Sequence, residues 1–261
     1  PDYILDFLVL DFLLFDVLFN PKGGKKNQRV RQAKAISNTI RGLLDHILSL
    51  DQDRILRNFL NVLLATLRTN FYKTEYIYGI KETGVQPGLA LKLRSASIEE
   101  LPKPKPHAEI FVYSPRFEGV HLRGGMVARG GIRWSDRPED FRTEVLGLVK
   151  AQQVKNAVIV PVGAKGGFYA KHLGETNTRT EFMAEGISCY KSFVTSLLTV
   201  TDNLVKGKII PPNRMVRWDK GDPYLVVAAD KGTTTFSDIA NDLSIANKFW
   251  LGDAFASGGS S

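Results

Sequence analysis

Ala157-Val158-Ile159-Val160-Pro161-Val162-Gly163-Ala164-Lys165-Gly166-Gly167 joins an apolar run to a glycine-rich stretch built around one lysine. The run 157–160 reads as a buried strand, and the proline and glycines after it read as the loop at its carboxyl end. That reading puts the Lys165 ammonium at a strand tip. Glycines on either side remove side chains, so a ligand can approach the backbone closely. A lysine held in such a pocket loses hydration, which favours its neutral form and suits it to accept a proton near pH 7. The pattern alone also fits an ordinary turn with a solvated lysine.

The flanking sequence alternates. Glu109-Ile110-Phe111-Val112-Tyr113 reads as a strand, and a second strand near Val127 leads to Arg129-Gly130-Gly131-Ile132-Arg133-Trp134. Pro138, Glu139 and Asp140 then supply helix-start chemistry for a helix over 139–155. Phe182, Met183, Ile187, Tyr190, Val194, Leu197, Leu198 and Leu204 recur at helical spacing. Tyr224-Leu225-Val226-Val227-Ala228-Ala229 forms another apolar strand, ending at Asp230-Lys231-Gly232, and 236–249 is helical again. The alternation predicts an α/β fold, a mixed sheet flanked by helices, whose ligands collect at strand ends.

Tyr3 to Phe19 is strongly apolar, yet Asp6, Asp11 and Asp16 interrupt it, each costing a few kcal/mol at the centre of a bilayer. No basic region precedes it, which argues against a secretory signal. Two buried strands or a core helix is the reading, with no membrane contact, and the abrupt start suggests a piece of something longer. Two amphipathic helices follow. Ile36, Ile40, Leu43, Leu44, Ile47 and Leu48 share a face of the first; Asp51 caps the second, which carries Ile55, Leu56, Phe59, Leu60, Leu63, Leu64 and Leu67. Leu101-Pro102-Lys103-Pro104-Lys105-Pro106 is a stiff connector. It divides an N-terminal strand/helix extension, 1–100, from a catalytic part, 101–261.

The chain has 261 residues, 43% hydrophobic and 24% charged, with a net charge of +8. Its densest basic cluster is Lys22, Lys25, Lys26, Arg29, Arg31 and Lys34, which reads as a solvated face. With no recognisable motif or aromatic stacking pattern, a nucleic-acid partner is not expected. Cys189 is the one cysteine, so no internal disulfide exists and a cytoplasmic location is the default. His46, His107, His121 and His172 show no metal-ligand spacing, and no metal is expected.

In the 139–155 helix, Phe141, Val145 and Leu148 define a buried stripe whose next positions are Gln152 and Lys155. Either the helix end emerges into solvent there, or Gln152 and Lys155 face a pocket that holds a carboxylate, since burying an unpaired charge is expensive. Asp230, like Lys165, terminates an apolar strand before a glycine. It reads either as a turn residue or as an acid–base group sharing a cleft with Lys165. Arg129 beside Gly130-Gly131 adds a cationic rim suited to a dicarboxylate, whereas Arg133 reads as a structural ion-pair partner.

Together, Arg129-Gly-Gly-Ile-Arg-Trp134, Gln152-Gln-Val-Lys155, Pro161-Val-Gly-Ala-Lys-Gly-Gly167 and Ala228-Ala-Asp-Lys-Gly232 resemble the glutamate dehydrogenase family, in particular its large bacterial NAD-specific type. The likeness runs from about residue 51 to 261 and includes Phe111-Val-Tyr-Ser-Pro115 and Trp250-Leu-Gly-Asp-Ala-Phe-Ala-Ser-Gly-Gly259. It implies NAD-dependent deamination of L-glutamate to 2-oxoglutarate and ammonia. Lys165 would be the catalytic lysine and Asp230 the proton-transfer aspartate. Lys155 and Gln152 would hold the α-carboxylate, Arg129 the side-chain carboxylate, and Gly130, Gly131 and Gly166 would line the substrate. A homo-oligomer is expected from the exposed faces of the early helices. A sibling enzyme acting on leucine, valine or phenylalanine, or a non-catalytic regulatory or assembly domain, is the alternative. No Gly-x-Gly-x-x-Gly turn occurs, so the Rossmann cofactor domain is expected to be largely absent from the chain, which alone would not turn over.

Overall fold

A computed structural model describes residues 3–73, 84–155, 162–176 and 178–257, the side chains of 153–155 excepted. Ten strands are described: β1 (Thr66–Thr69), β2 (Leu89–Leu93), β3 (Ala108–Tyr113), β4 (Phe117–Arg123), β5 (Ala128–Ser135), β6 (Val162–Ala170), β7 (Asn203–Val205), β8 (Lys208–Ile210), β9 (Val226–Ala229) and β10 (Ala256–Ser257). Eight form one sheet in the order β1-β2-β3-β4-β6-β5-β9-β10, and β7 and β8 form a separate hairpin. Pairing is antiparallel from β1 to β6 and parallel from β6 through β5 and β9 to β10. The mixed α/β sheet is as expected. Its first two strands lie before the proline connector and pair into the same sheet as the rest.

Parallel neighbours need crossovers, and helices supply them. Helix α4 (Phe141–Lys155) links β5 to β6, and α6 (Ser237–Ala246) links β9 to β10; α5 (Arg179–Thr199) follows β6. Strand alternation sorts the two faces. Phe141, Val145, Leu146 and Val149 of α4 bury against Val120 and Leu122 on one face. Phe193, Val194, Leu197, Ala240 and Leu243 of α5 and α6 bury against Ile110, Val112, Ile132 and Phe168 on the other. Thr178 opens α5 with a capping box closed by Glu181.

Several boundaries differ from the sequence reading. The buried stripe of α4 runs through Leu146 and Val149, with Leu148 only partly covered. Leu204 belongs to β7, beyond the end of α5. Arg129 to Trp134 lies inside β5 rather than following a strand near Val127, and β4 was not foreseen. The strand expected at 157–160 lies outside the described residues.

Three helices precede the sheet: α1 (Tyr3–Phe19), α2 (Lys26–Leu44) and α3 (Leu50–Ala65). Of the two readings of Tyr3–Phe19, the helix is the one adopted: Phe7 and Leu14 pack with Ala33, Ile40, Leu44, Leu60 and Leu63. No described helix is long and apolar enough to cross a membrane. Helix α2 stops before Leu48, which is fully exposed, and Ser49 rather than Asp51 caps α3, accepting from the Gln52 N–H at 3.4 Å. Ile55 and Phe59 are also exposed. Arg29 leaves the expected basic face: it is buried and donates to the carbonyls of Val17, Asn20 and Gly24 at 2.7–2.8 Å, closing the C-terminal end of α1.

Asp11 is 2% exposed within this bundle, and neither carboxylate oxygen has a hydrogen-bond partner among the described residues. Burial pushes its pKa up from 3.8 to about 6. The unfolded chain therefore releases this proton at lower pH than the folded one. Stability falls as pH rises through that window, by about 3 kcal/mol, and is flat above it. Asp11→Leu is expected to remove that decline and stabilise the bundle by a similar amount at pH 7. Denaturant titrations from pH 4 to 8 check this, and equal pH slopes in both proteins would refute it.

A buried ionic network, invisible in the sequence, ties the strands to the segment after α5. Arg68 of β1 makes a paired contact to Asp202 at 2.8 and 3.1 Å and reaches Asp219 at 2.6 Å. Lys92 of β2 bridges Asp219 and Asp222 at 2.6 and 2.8 Å, and Arg123 of β4 pairs with Asp222 at 2.5 Å. With every charge facing an opposite one, such a network is tolerable; removing one member leaves an uncompensated charge.

Candidate functional site

Lys165 sits in the middle of β6, not at a strand tip. β4 and β5 flank β6, and their ladders satisfy its backbone, so the glycine-rich stretch is a central strand instead of a loop. The glycines serve close packing. On the face that carries Lys165, a Cβ on Gly163 would stand 2.8 Å from Gln152 Oε1, and one on Gly167 2.5 Å from Val145 Cγ2. Helix α4 thus lies directly on a floor stripped of side chains.

β5 continues that floor. Arg129 is paired with Gly163 and Arg133 with Gly167, so Arg129, Gly131 and Arg133 share the Lys165 face. A Cβ on Gly131 would lie 2.9 Å from Asp230 Cβ. That bare position lets Asp230, directly after β9, swing across β5 to β6. The turn that carries it is closed by Gly232 at φ +83°, a conformation L side chains rarely adopt. The Asp230 N–H donates to Thr233 Oγ1 at 3.2 Å, and the Thr233 hydroxyl donates to the Ile132 carbonyl at 2.5 Å.

The outcome is a short contact. Lys165 Nζ donates to Asp230 Oδ2 at 2.5 Å, with the two side chains 14% and 12% exposed. Arg133 donates to Asp230 Oδ1 at 3.2 Å, and the Lys231 N–H to the same oxygen at 2.7 Å. Burial alone would raise the Asp230 pKa; the Lys165 hydrogen bond and charge, the Lys231 N–H and Arg133 outweigh it, holding the carboxyl below its ordinary range. On the far side of Arg133, Glu144 accepts at 2.8 Å and also accepts from the Ser135 hydroxyl at 2.8 Å.

The other expected site residues divide. Gln152 reaches the floor at Gly163, and its Oε1 is buried without a partner among the described residues. Arg129 is exposed, one strand over and two residues back from Lys165, about 8 Å by sheet spacing. Lys155 ends α4, and its side chain lies outside the described residues. Gly130 and Gly166 alternate to the opposite face: a Cβ on Gly130 would be 1.6 Å from the Ala164 carbonyl oxygen, and one on Gly166 3.1 Å from His121 Cδ2.

Glu144, Ser135 and Thr233 were missed. For Glu144 a signal existed: positions 144, 148 and 152 repeat every four residues, so the stripe that singled out Gln152 also runs back to Glu144. Arg133 pairs as expected, but one of its partners is Asp230 itself.

With this geometry in hand, comparison with known proteins is informative. Residues 39–261 match the model of the bacterial NAD-glutamate dehydrogenase catalytic domain. Among curated proteins, the NAD-specific glutamate dehydrogenase of Pseudomonas aeruginosa is 59% identical over 235 residues, 90% of this chain and 14% of the relative. The proteins of the same name from Halomonas elongata and Mycobacterium tuberculosis are each 55% identical, over 94% and 95% of this chain and 15% of the relative. The chain therefore spans about one seventh of the length of these relatives. On that match, the chain belongs to the bacterial NAD-glutamate dehydrogenase catalytic-domain family.

Proposed function

We propose that this chain is the substrate-binding and proton-handling part of an enzyme that oxidatively deaminates L-glutamate to 2-oxoglutarate and ammonia with NAD. The observation that supports it most is the 2.5 Å contact between Lys165 and Asp230, which draws a base and an acid from two strands to one place. In this reading, residues 101–261 carry the glutamate chemistry, and 1–100 add the helical extension and the sheet edge. NAD, when bound, would supply the acceptor for the hydride that leaves the α-carbon. No Gly-x-Gly pair occurs in the sequence, so the chain lacks the usual pyrophosphate turn and NAD binding falls mainly to chain beyond it.

The residues of this chain manage carboxylates and protons. Gln152 and Lys155, at the end of α4, hold the α-carboxylate. Arg129 takes the side-chain carboxylate at the open rim, and bare Gly131 shapes the floor beside Lys165. When substrate enters, the Lys165–Asp230 contact opens. Lys165 assists the water that adds at the α-carbon, and Asp230 passes protons at the nitrogen. We place the protein in the cytoplasm as a homo-oligomer serving amino-acid catabolism.

Arg129 favours glutamate over an apolar substrate, because leucine, valine or phenylalanine would leave its charge unpaired. Initial rates of NADH formation by the full-length protein with glutamate and with leucine separate the two readings, and higher kcat/KM on leucine would overturn ours. Lys155→Ala and Arg129→Ala are expected mainly to raise KM for glutamate, by about tenfold or more. An unchanged KM in both would remove the carboxylate-holding role.

A further inference from the structure

We infer that Arg133, anchored by Glu144 and Ser135, is a positioning residue that keeps the Asp230 carboxylate ionised and aimed while Lys165 leaves it to serve the substrate. The inference rests on the proposed roles of Lys165 and Asp230 and adds a division of labour between the two cations that Asp230 touches. Lys165 holds Oδ2 and Arg133 holds Oδ1. Only one of these contacts is free to break. Lys165 ends in a single flexible ammonium, whereas Arg133 is a planar fork fixed at its other end by Glu144 Oε1 at 2.8 Å. Glu144 is in turn fixed by the Ser135 hydroxyl, which leaves Arg133 few alternative orientations.

The charges make this necessary. Asp230 is mostly buried, and burial works against its charged form. If Lys165 were its sole counter-ion, the carboxylate would lose its compensation whenever Lys165 turned to the substrate. It would then take up a proton and could no longer accept one. Arg133 stays charged throughout and remains in place. The charged groups that act on Asp230 are Lys165 on β6 and Arg133 on β5, with Glu144 on α4 behind Arg133 and Arg137 near Glu144. Glu144 is the one anion of this set, and it shares Arg133 with Asp230. It thereby limits how far Arg133 depresses Asp230, so the two neighbours should act with opposite signs.

The test is the pH profile of kcat/KM for glutamate in the full-length protein with Arg133→Gln, Arg133→Lys, Glu144→Gln and Asp230→Asn. Arg133→Gln is expected to move the acid limb up by roughly half to one pH unit and lower kcat about tenfold or more. Arg133→Lys should recover most of that shift. Glu144→Gln should move the acid limb down, since it removes an anion and leaves Arg133 undivided. A purely structural pair would lower the amount of folded enzyme without moving either limb. If Arg133→Gln does not fold, Glu144→Gln still decides, because it retains the Arg133–Asp230 contact. Unshifted limbs in the folded variants, with Asp230→Asn inactive, would overturn the positioning role. Near-normal turnover by Asp230→Asn would instead overturn the proposed function beneath it.

Discussion

Lys165→Ala in the full-length protein is expected to lower kcat for glutamate by at least about 100-fold, on the scale by which positioned acid–base groups contribute. The fold should survive. Asp230 keeps Arg133 and the Lys231 N–H as partners after Lys165 is truncated, so no buried charge is left alone, and the truncated side chain lies over a glycine floor instead of inside either hydrophobic cluster. Thermal melting of the variant should stay within a few degrees of the parent while steady-state NADH formation collapses. Near-normal turnover would eliminate the proposed role of Lys165. A melt lowered in step with activity would mean that the lysine works as scaffold.

Gly130→Ala should damage the protein by a different route. The added Cβ would stand 1.6 Å from the Ala164 carbonyl oxygen, a backbone atom with no rotamer to escape into. β5 and β6 would have to separate locally, and Ala164 immediately precedes Lys165. Overpacking of this kind costs about 1–3 kcal/mol and often more when backbone must move. We expect loss of stability of at least that size, read by denaturant unfolding. In whatever folds, Lys165 should be displaced from Asp230, with kcat falling more than KM changes. Wild-type stability would show that the strands tolerate the separation.

The motif residues were legible because glycine and charge are unusual where a strand or helix should be apolar. Lys165, Asp230, Arg129 and Gln152 stood out as breaks in local patterns, and those breaks drew attention to one shared cleft, read as lying at strand tips. The strand assignment around them was less legible. Gly163, Gly166 and Gly167 carry the local signal of a turn, and only β4 and β5 on either side turn them into a central strand. Leu48 and Ile55 illustrate the same limit at the other end of the chain. Helical periodicity assigned them to a buried face, but the bundle has a fixed number of neighbours and leaves them outside it.

The Arg133–Asp230 pairing and the network of Arg68, Lys92 and Arg123 mark what pattern reading cannot reach. An ion pair depends on which strands become neighbours, and the order β4-β6-β5-β9 sets that across distances of 65 to 97 residues at the site. Local composition by itself pointed to the mixed α/β class and to the family likeness, since propensity and side-chain chemistry act within a few residues. The three-dimensional arrangement alone decided that Lys165 lies mid-strand and that Asp230 has two cationic partners. Sheet order and close packing over bare glycines are properties of the assembled layers, and no single segment encodes them.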